Sequence, residues 1–199
     1  MSTPRTTDEE LMSRFQQGDA TAFEMLFQRF HGPIFSFLCR QCGDREVAAD
    51  LRQDVFTKVV TGALSFHHQS KFSTWIYTIA RNAAVDAARR AAHRKHRSLE
   101  ETARDSGPRL GDRICNAGPA PDRSAIAERL RVELAAAIES LPADQREVFL
   151  LREYHGLPFN EIADVVSAKV GTVKSRMRYA LEALRRELEE YTDYARTLS

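Results

Sequence analysis

Between Lys169 and Arg178 the run KVGTVKSRMR carries four cations and no acid. Guanidinium and ammonium groups spaced this way on a helix can reach phosphate oxygens and base edges together. PFNEIADVV precedes the run, so residues 159–166 and 171–190 are predicted as two helices joined by a turn over Ser167–Val170. A basic second helix after a short turn is the pattern of a helix-turn-helix that enters a DNA major groove. Lys174, Ser175, Arg176 and Arg178 leave that helix at several angles, some toward the groove and others toward flanking phosphates. The backbone N–H groups near Gly171 and Thr172 can receive a phosphate. An αα-hairpin with a solvated basic face is the plainer reading of the same residues.

Four further groups could do chemistry. Residues 81–97 hold Arg81, Arg89, Arg90, Arg94, Lys95 and Arg97 against the single acid Asp86. Such a helix can track a phosphate backbone through counterion release. The preceding loop, 61–70, brings Phe66, His67, His68 and Gln69 near that helix. It could cradle an unstacked base by stacking and amide hydrogen bonds. Phe66 fits a stacking platform and a core residue equally well, while Trp75, with apolar neighbours at helical spacing, reads as core. Asp50, Gln53, Asp54 and Lys58 share a helix with Phe56, which suits a partner face with one apolar anchor as well as a solvated surface. Finally, Cys39 and Cys42 stand at i and i+3. With His31 they could hold zinc or act as a redox pair, but no second ligand pair stands at metal-site spacing, and such cysteines usually pack in a core.

The elements that must position these residues all read as helices. Thr7–Glu10 has the form of a capping box, Gly18 closes the short helix it opens, and Asp19 caps the next. Pro33 is expected to interrupt that second helix, which resumes at Ile34. Gly43-Asp44 opens a segment in which Val47, Leu51, Val55 and Val59 recur every fourth residue. Residues 71–97 read as one long helix with Phe72, Trp75, Ile76, Ile79 and Ala83 on its buried side. The polar, aperiodic stretch 98–123 carries three prolines and reads as a flexible linker. Helical periodicity returns from Ser124, with a further helix over 144–154, and strand alternation is absent throughout. The fold class is therefore all-α, two small helical domains (1–97 and 124–199) joined by a linker, the second a helix-turn-helix.

Composition excludes little else. The 199 residues are nearly neutral, at +1, so charge placement carries the nucleic-acid signal. No run approaches the ~18 apolar residues of a membrane helix, and MSTPRTTDEE lacks a signal-peptide core, which points to a cytoplasmic protein. Three cysteines do not make a disulfide framework.

The stretch AFEMLFQRFHGPIFSFLCRQCGDREVAADLRQDVFTKVV, followed by SKFSTWIYTIARNAAVDAARR, resembles the second conserved region of bacterial sigma factors. LPADQREVFLLREYHGLPFNEIADVVSAKVGTVKSRMRYALEALRREL resembles their fourth. DLRQDVF, TWIYTIARN and VGTVKSR in this order match the extracytoplasmic-function group of the sigma-70 family, which keeps only these two domains. The resemblance implies a transcription initiation factor, with no cofactor, no metal and no catalytic site. Its partners would be core RNA polymerase, through the β′ clamp helices and the β subunit, promoter DNA, and an anti-sigma factor.

The resemblance also assigns roles. Asp50, Gln53, Asp54 and Phe56 would dock on the clamp helices. Phe66, His67 and Gln69 would capture a flipped base of the −10 element, and Arg81, Asn82, Asp86 and Arg89 would meet its upstream edge. Lys169, Thr172, Lys174, Ser175, Arg176 and Arg178 would serve the −35 element. Family members often carry Gly where Ser167 stands and Arg where Tyr179 and Leu181 stand. Two rivals remain at this point: a helix-turn-helix regulator that is not a polymerase subunit, and a metal-dependent enzyme built on Cys39, Cys42 and a histidine.

Overall fold

Among residues 6–67, 70–99 and 125–189, which the computed structural model describes, eight α-helices follow one another and there is no strand. Helix α1 (Asp8–Gln16) opens on the expected capping box. Thr7 Oγ1 accepts from the Glu10 amide at 3.2 Å, and the Glu10 carboxylate accepts from the Thr7 amide at 2.8 Å. Asp19 caps α2 (Ala20–Cys42) by accepting from the Thr21 amide at 3.0 Å. Pro33 does not interrupt α2, contrary to expectation. Leu26 before it and Ile34, Phe37 and Leu38 after it are all buried. At roughly 2 kcal/mol per buried side chain, they outweigh the ~3 kcal/mol that an interior proline costs.

Asp44 caps α3 (Arg45–Thr61), accepting from the amides of Glu46 and Val47 at 2.8 and 3.0 Å. A 3-10 turn, Ala63–Ser65, follows, and then the long α4 (Phe72–Leu99). Phe37, Leu26, Val55, Phe72 and Ile76 fill the interior between α2, α3 and α4. Helix α4 carries two residues past the boundary expected at 97; the rest of the proposed linker lies outside the described residues.

The second domain comprises α5 (Ala125–Ser140), α6 (Ala143–Phe149), α7 (Phe159–Val166) and α8 (Val170–Glu187). Helix α6 widens into a π-helical turn over Leu150–Tyr154. Val148, Leu150, Leu151, Ile162 and Val173 form its core. The two domains touch, with α7 against α4.

Candidate nucleic-acid interface

On α3 the exposed side chains include Asp50, Gln53, Asp54, Thr57 and Lys58. Phe56 is not among them. It is 7% exposed and its ring meets Phe27 edge-on at 4.7 Å. The exposed-anchor reading of Phe56 is therefore corrected, and its place was legible. Ala48, Leu51, Val55, Phe56 and Val59 fall at i, i+3, i+7, i+8 and i+11, one buried stripe. The apolar side chains that α3 does present are Val47 and Val60, at 39% and 44% exposure.

After α3 the chain turns tightly. A Cβ on Gly62 would stand 2.8 Å from the Lys58 carbonyl oxygen, so the turn requires glycine. The Gln16 amide then clamps the 3-10 turn by donating to the carbonyls of Ala63 at 2.8 Å and Phe66 at 3.1 Å. Phe66 is 2% exposed, with Trp75 and Phe72 at 5.3 and 5.9 Å between ring centres. It belongs to the core, which corrects its reading as a stacking platform. The apolar group at the tip is Leu64, 81% exposed, which the sequence reading missed. His67 is exposed, and Gln69 lies outside the described residues.

Along α4, Asn82, Asp86, Arg89 and Arg90 are exposed on successive turns. Arg89 and Asp86 make a loose surface pair at 3.7 Å. Arg81 points elsewhere, its Nε donating to Glu147 on α6 at 3.2 Å.

Helices α7 and α8 form the expected helix-turn-helix. Val173, Met177, Ala180 and Leu184 bury one side of α8. Lys169, Thr172, Lys174, Ser175 and Arg178 stand on its open side, and no side chain caps its first turn, which leaves amide donors at that end. Ser175 Oγ donates back to the Gly171 carbonyl at 3.0 Å. Arg178 lies over the Tyr179 ring at 4.9 Å, and Tyr179 and Leu181 are each 48% exposed. Arg176 is drawn inward, 3.1 Å from Asp144 and 4.0 Å from Glu147. The turn depends on Ser167 at φ 52°, a left-handed conformation that costs a side-chain-bearing residue ~1 kcal/mol or more. Ser167→Gly is expected to raise the melting temperature by about 2–4 °C; an unchanged or lower value in a thermal scan would count against strain at this residue.

The cysteines do not make a reactive pair here. Burial pushes the half-buried Cys42 thiol up to about 11, with Asp44 adding to the effect, so it stays protonated at neutral pH. Cys39 is buried. His31 donates from Nδ1 to the Phe27 carbonyl at 3.1 Å. Among the described residues no three His, Cys, Asp or Glu side chains stand together as a metal site, and no helix is long and apolar enough to cross a membrane.

His155 lies where the domains meet, its ring 4.9 Å from Tyr77 and 5.8 Å from Phe37. Burial, aided by the Arg40 guanidinium, holds it down at about 4. The folded chain thus binds fewer protons than the unfolded one at this residue. Its contribution is present above pH ~6.5, the ordinary histidine value, and drains as pH falls toward 4. The stability advantage of the natural protein over His155→Leu should shrink by about 2 kcal/mol between roughly pH 7 and 5. Urea titrations at each pH measure this, and parallel profiles for the two proteins would refute it.

Residues 26–94 match the family described as Sigma-70 region 2, and residues 131–184 that described as Sigma-70, region 4. The chain is 32% identical over 182 residues to RNA polymerase sigma-H factor of Pseudomonas aeruginosa, covering 92% of this chain and 94% of that one. It is 36% identical over 182 residues to ECF RNA polymerase sigma-E factor of Escherichia coli K12, covering 89% and 92%. Its fold resembles that of the sigma factor RpoE from Bartonella quintana, solved in complex with the anti-sigma factor NepR. The TM-score is 0.68 at 23% identity, over 84% of this chain and 96% of that one.

Proposed function

The chain belongs to the extracytoplasmic-function group of the sigma-70 family, and from that membership we propose how its residues direct promoter-specific transcription initiation. A sigma factor binds core RNA polymerase, brings it to −35 and −10 elements and assists melting at the −10 element. The observation that carries the residue assignment is exposure. Each helix on which the family's interfaces lie presents polar or cationic groups to solvent and buries the opposite stripe.

On this reading the open face of α3 docks on the β′ clamp helices through Asp50, Gln53 and Asp54, with Val47 and Val60 as the apolar contacts and Phe56 supporting the helix from behind. The clamped turn offers Leu64 and His67 to an unpaired base of the −10 element. Phe66 props that turn from the core. Asn82, Asp86 and Arg89 meet the upstream edge of the same element, joined by Arg81 when Glu147 releases it. Helix α8 enters the −35 major groove with Lys169, Thr172, Lys174, Ser175 and Arg178, while Arg176 reaches phosphate only on leaving Asp144 and Glu147. Unstacking a base costs a few kcal/mol, and binding of the displaced base offsets that cost.

The chain contributes no catalytic group in this scheme, because the polymerase carries out nucleotide addition. It works in the cytoplasm, in domains 1–97 and 124–199, and an anti-sigma factor restrains it as NepR binds its relative. Run-off transcription with purified core polymerase tests the reading, on promoters selected from genomic DNA by the reconstituted holoenzyme. Promoter-specific transcripts that require this protein are the expected result. A protein that binds DNA but never programs core polymerase is instead a free-standing regulator.

A further inference from the structure

A cavity of about 780 Å³ opens between α2, the starts of α3 and α4, and the end of the π-helical turn. That is the size of a small-molecule site. Its two ends differ in character. They lie along α2 at Phe30 and Phe35, five residues or roughly 7 Å apart. At the Phe35 end, Arg45 and Arg52 of α3 lie over the Phe35 ring at 5.1 and 4.9 Å. Arg40 lies over the Tyr154 ring at 4.3 Å and donates to Ser36 Oγ on the same wall. The α3 positions three and four residues from Arg45 and Arg52 are Ala48, Ala49, Val55 and Phe56, so neither has an acid to pair with along its helix. Among the described residues no carboxylate pairs with Arg40, Arg45 or Arg52, and Arg45 and Arg52 donate no hydrogen bond. At the other end Phe30 meets Phe72 edge-on at 5.1 Å, and the neighbouring Ser73 donates to the Glu161 carboxylate at 3.4 Å. That carboxylate repels an anion, so negative charge belongs at the Phe35 end. His155 also lines the cavity, and its buried Nε2 has no hydrogen-bond partner among the described residues. Buried polar groups are nearly always satisfied, so an orphan in a cavity wall points to a ligand.

We propose that this cavity binds a nucleotide carrying two or more phosphates, with the phosphates on Arg40, Arg45 and Arg52 and the base against the aromatic wall beside His155. Cation-π packing accounts for one guanidinium over Phe35. A second on the same ring, a third on the same wall and no acid among them make a concentration of charge that calls for an anion. Guanidinium forks match phosphate oxygens in pairs. A single carboxylate would leave two of the three cations unmatched. A nucleobase offers flat faces to the rings of Phe30 and Tyr154 and a polar edge to His155, whose neutral imidazole donates or accepts at Nε2 according to its tautomer. None of these side chains carries a promoter or polymerase role in the reading above, so the site does not rest on that reading.

Isothermal titration calorimetry of the full chain with ADP and with GDP tests this. The full chain is needed because Tyr154 and His155 come from the second domain. At least one of the two nucleotides is expected to saturate a single site. Its nucleoside, which lacks phosphate, and inorganic triphosphate, which lacks a base, should each bind at least about tenfold more weakly. Arg45→Ala with Arg52→Ala should weaken the nucleotide by about tenfold or more, because it removes charge-assisted hydrogen bonds. Gly32→Phe keeps every cation and fills the cavity instead: Gly32 lines it from α2, and a Cβ there meets nothing within 4 Å. It should abolish binding, and replacing a glycine within α2 favours the helix. Should Gly32→Phe still fail to fold, the arginine pair, exposed at Arg45 and half-buried at Arg52, carries the test. Three results overturn the proposal: neither nucleotide binds; inorganic triphosphate binds as tightly as the nucleotide, which leaves an anion patch without base recognition; or a folded variant of either kind binds like the natural protein.

Discussion

Phe56→Ala is expected to destabilise the protein by about 3–5 kcal/mol, the range for emptying a buried phenylalanine site. That loss is a large share of the total stability of an ordinary domain. The Phe56 ring is 7% exposed and packs edge-on against Phe27 in the seam between α2 and α3. Truncation leaves a cavity that the surrounding close-packed side chains fill only in part. Urea unfolding should show the midpoint fall sharply, while Phe56→Leu loses far less because most of the volume is kept. Any fall in transcription by the alanine protein would then follow its unfolded fraction and recover on cooling. Alanine protein that is as stable as the natural one but defective in polymerase binding would return Phe56 to the surface.

The difference between Phe56 and its neighbours shows which parts of the fold could be read directly. Caps were local: Thr7, Asp19 and Asp44 each satisfy amides two or three residues away, so the chemistry lay inside a four-residue window. Periodicity gave α4 and α8 for the same reason. Pro33 misled because its penalty is local while the burial of Leu26, Ile34, Phe37 and Leu38 that overrides it is tertiary. Phe66 and Leu64 exchanged roles because a 3-10 turn does not follow the 3.6-residue period, and the Gln16 clamp comes from 47 residues away. Arg81 and Arg176 were legible as cations on basic helices, but their shared partner was not. Glu147 is 66 residues from Arg81, and nothing in either segment announces the pairing. The site was thus readable as a set of residue types on faces. It was not readable as a set of occupied and open side chains.

Asp50→Lys with Asp54→Lys is expected to lower affinity for core polymerase by about 100-fold or more while leaving the fold intact. Both carboxylates are exposed on α3, one turn apart. Neither lies on the buried stripe, so reversing them leaves the core contacts of α3 in place. At an interface the situation differs. A surface that complements two carboxylates presents cations or strong donors to them, and reversal sets like charge against like. That costs several kcal/mol, and each ~1.4 kcal/mol is a factor of ten in affinity. Asp50→Asn with Asp54→Asn, which removes charge without reversing it, should lose less, because amides still hydrogen-bond across the contact. Salt should separate the two effects, since raising it relieves repulsion in the lysine protein more than it weakens the asparagine one. The measurement is core-polymerase binding by anisotropy of labelled sigma, with circular dichroism to confirm unchanged helicity. Lysine protein that bound core polymerase like the natural chain would remove this face of α3 from the docking surface, and the contacts would have to be sought elsewhere on the first domain.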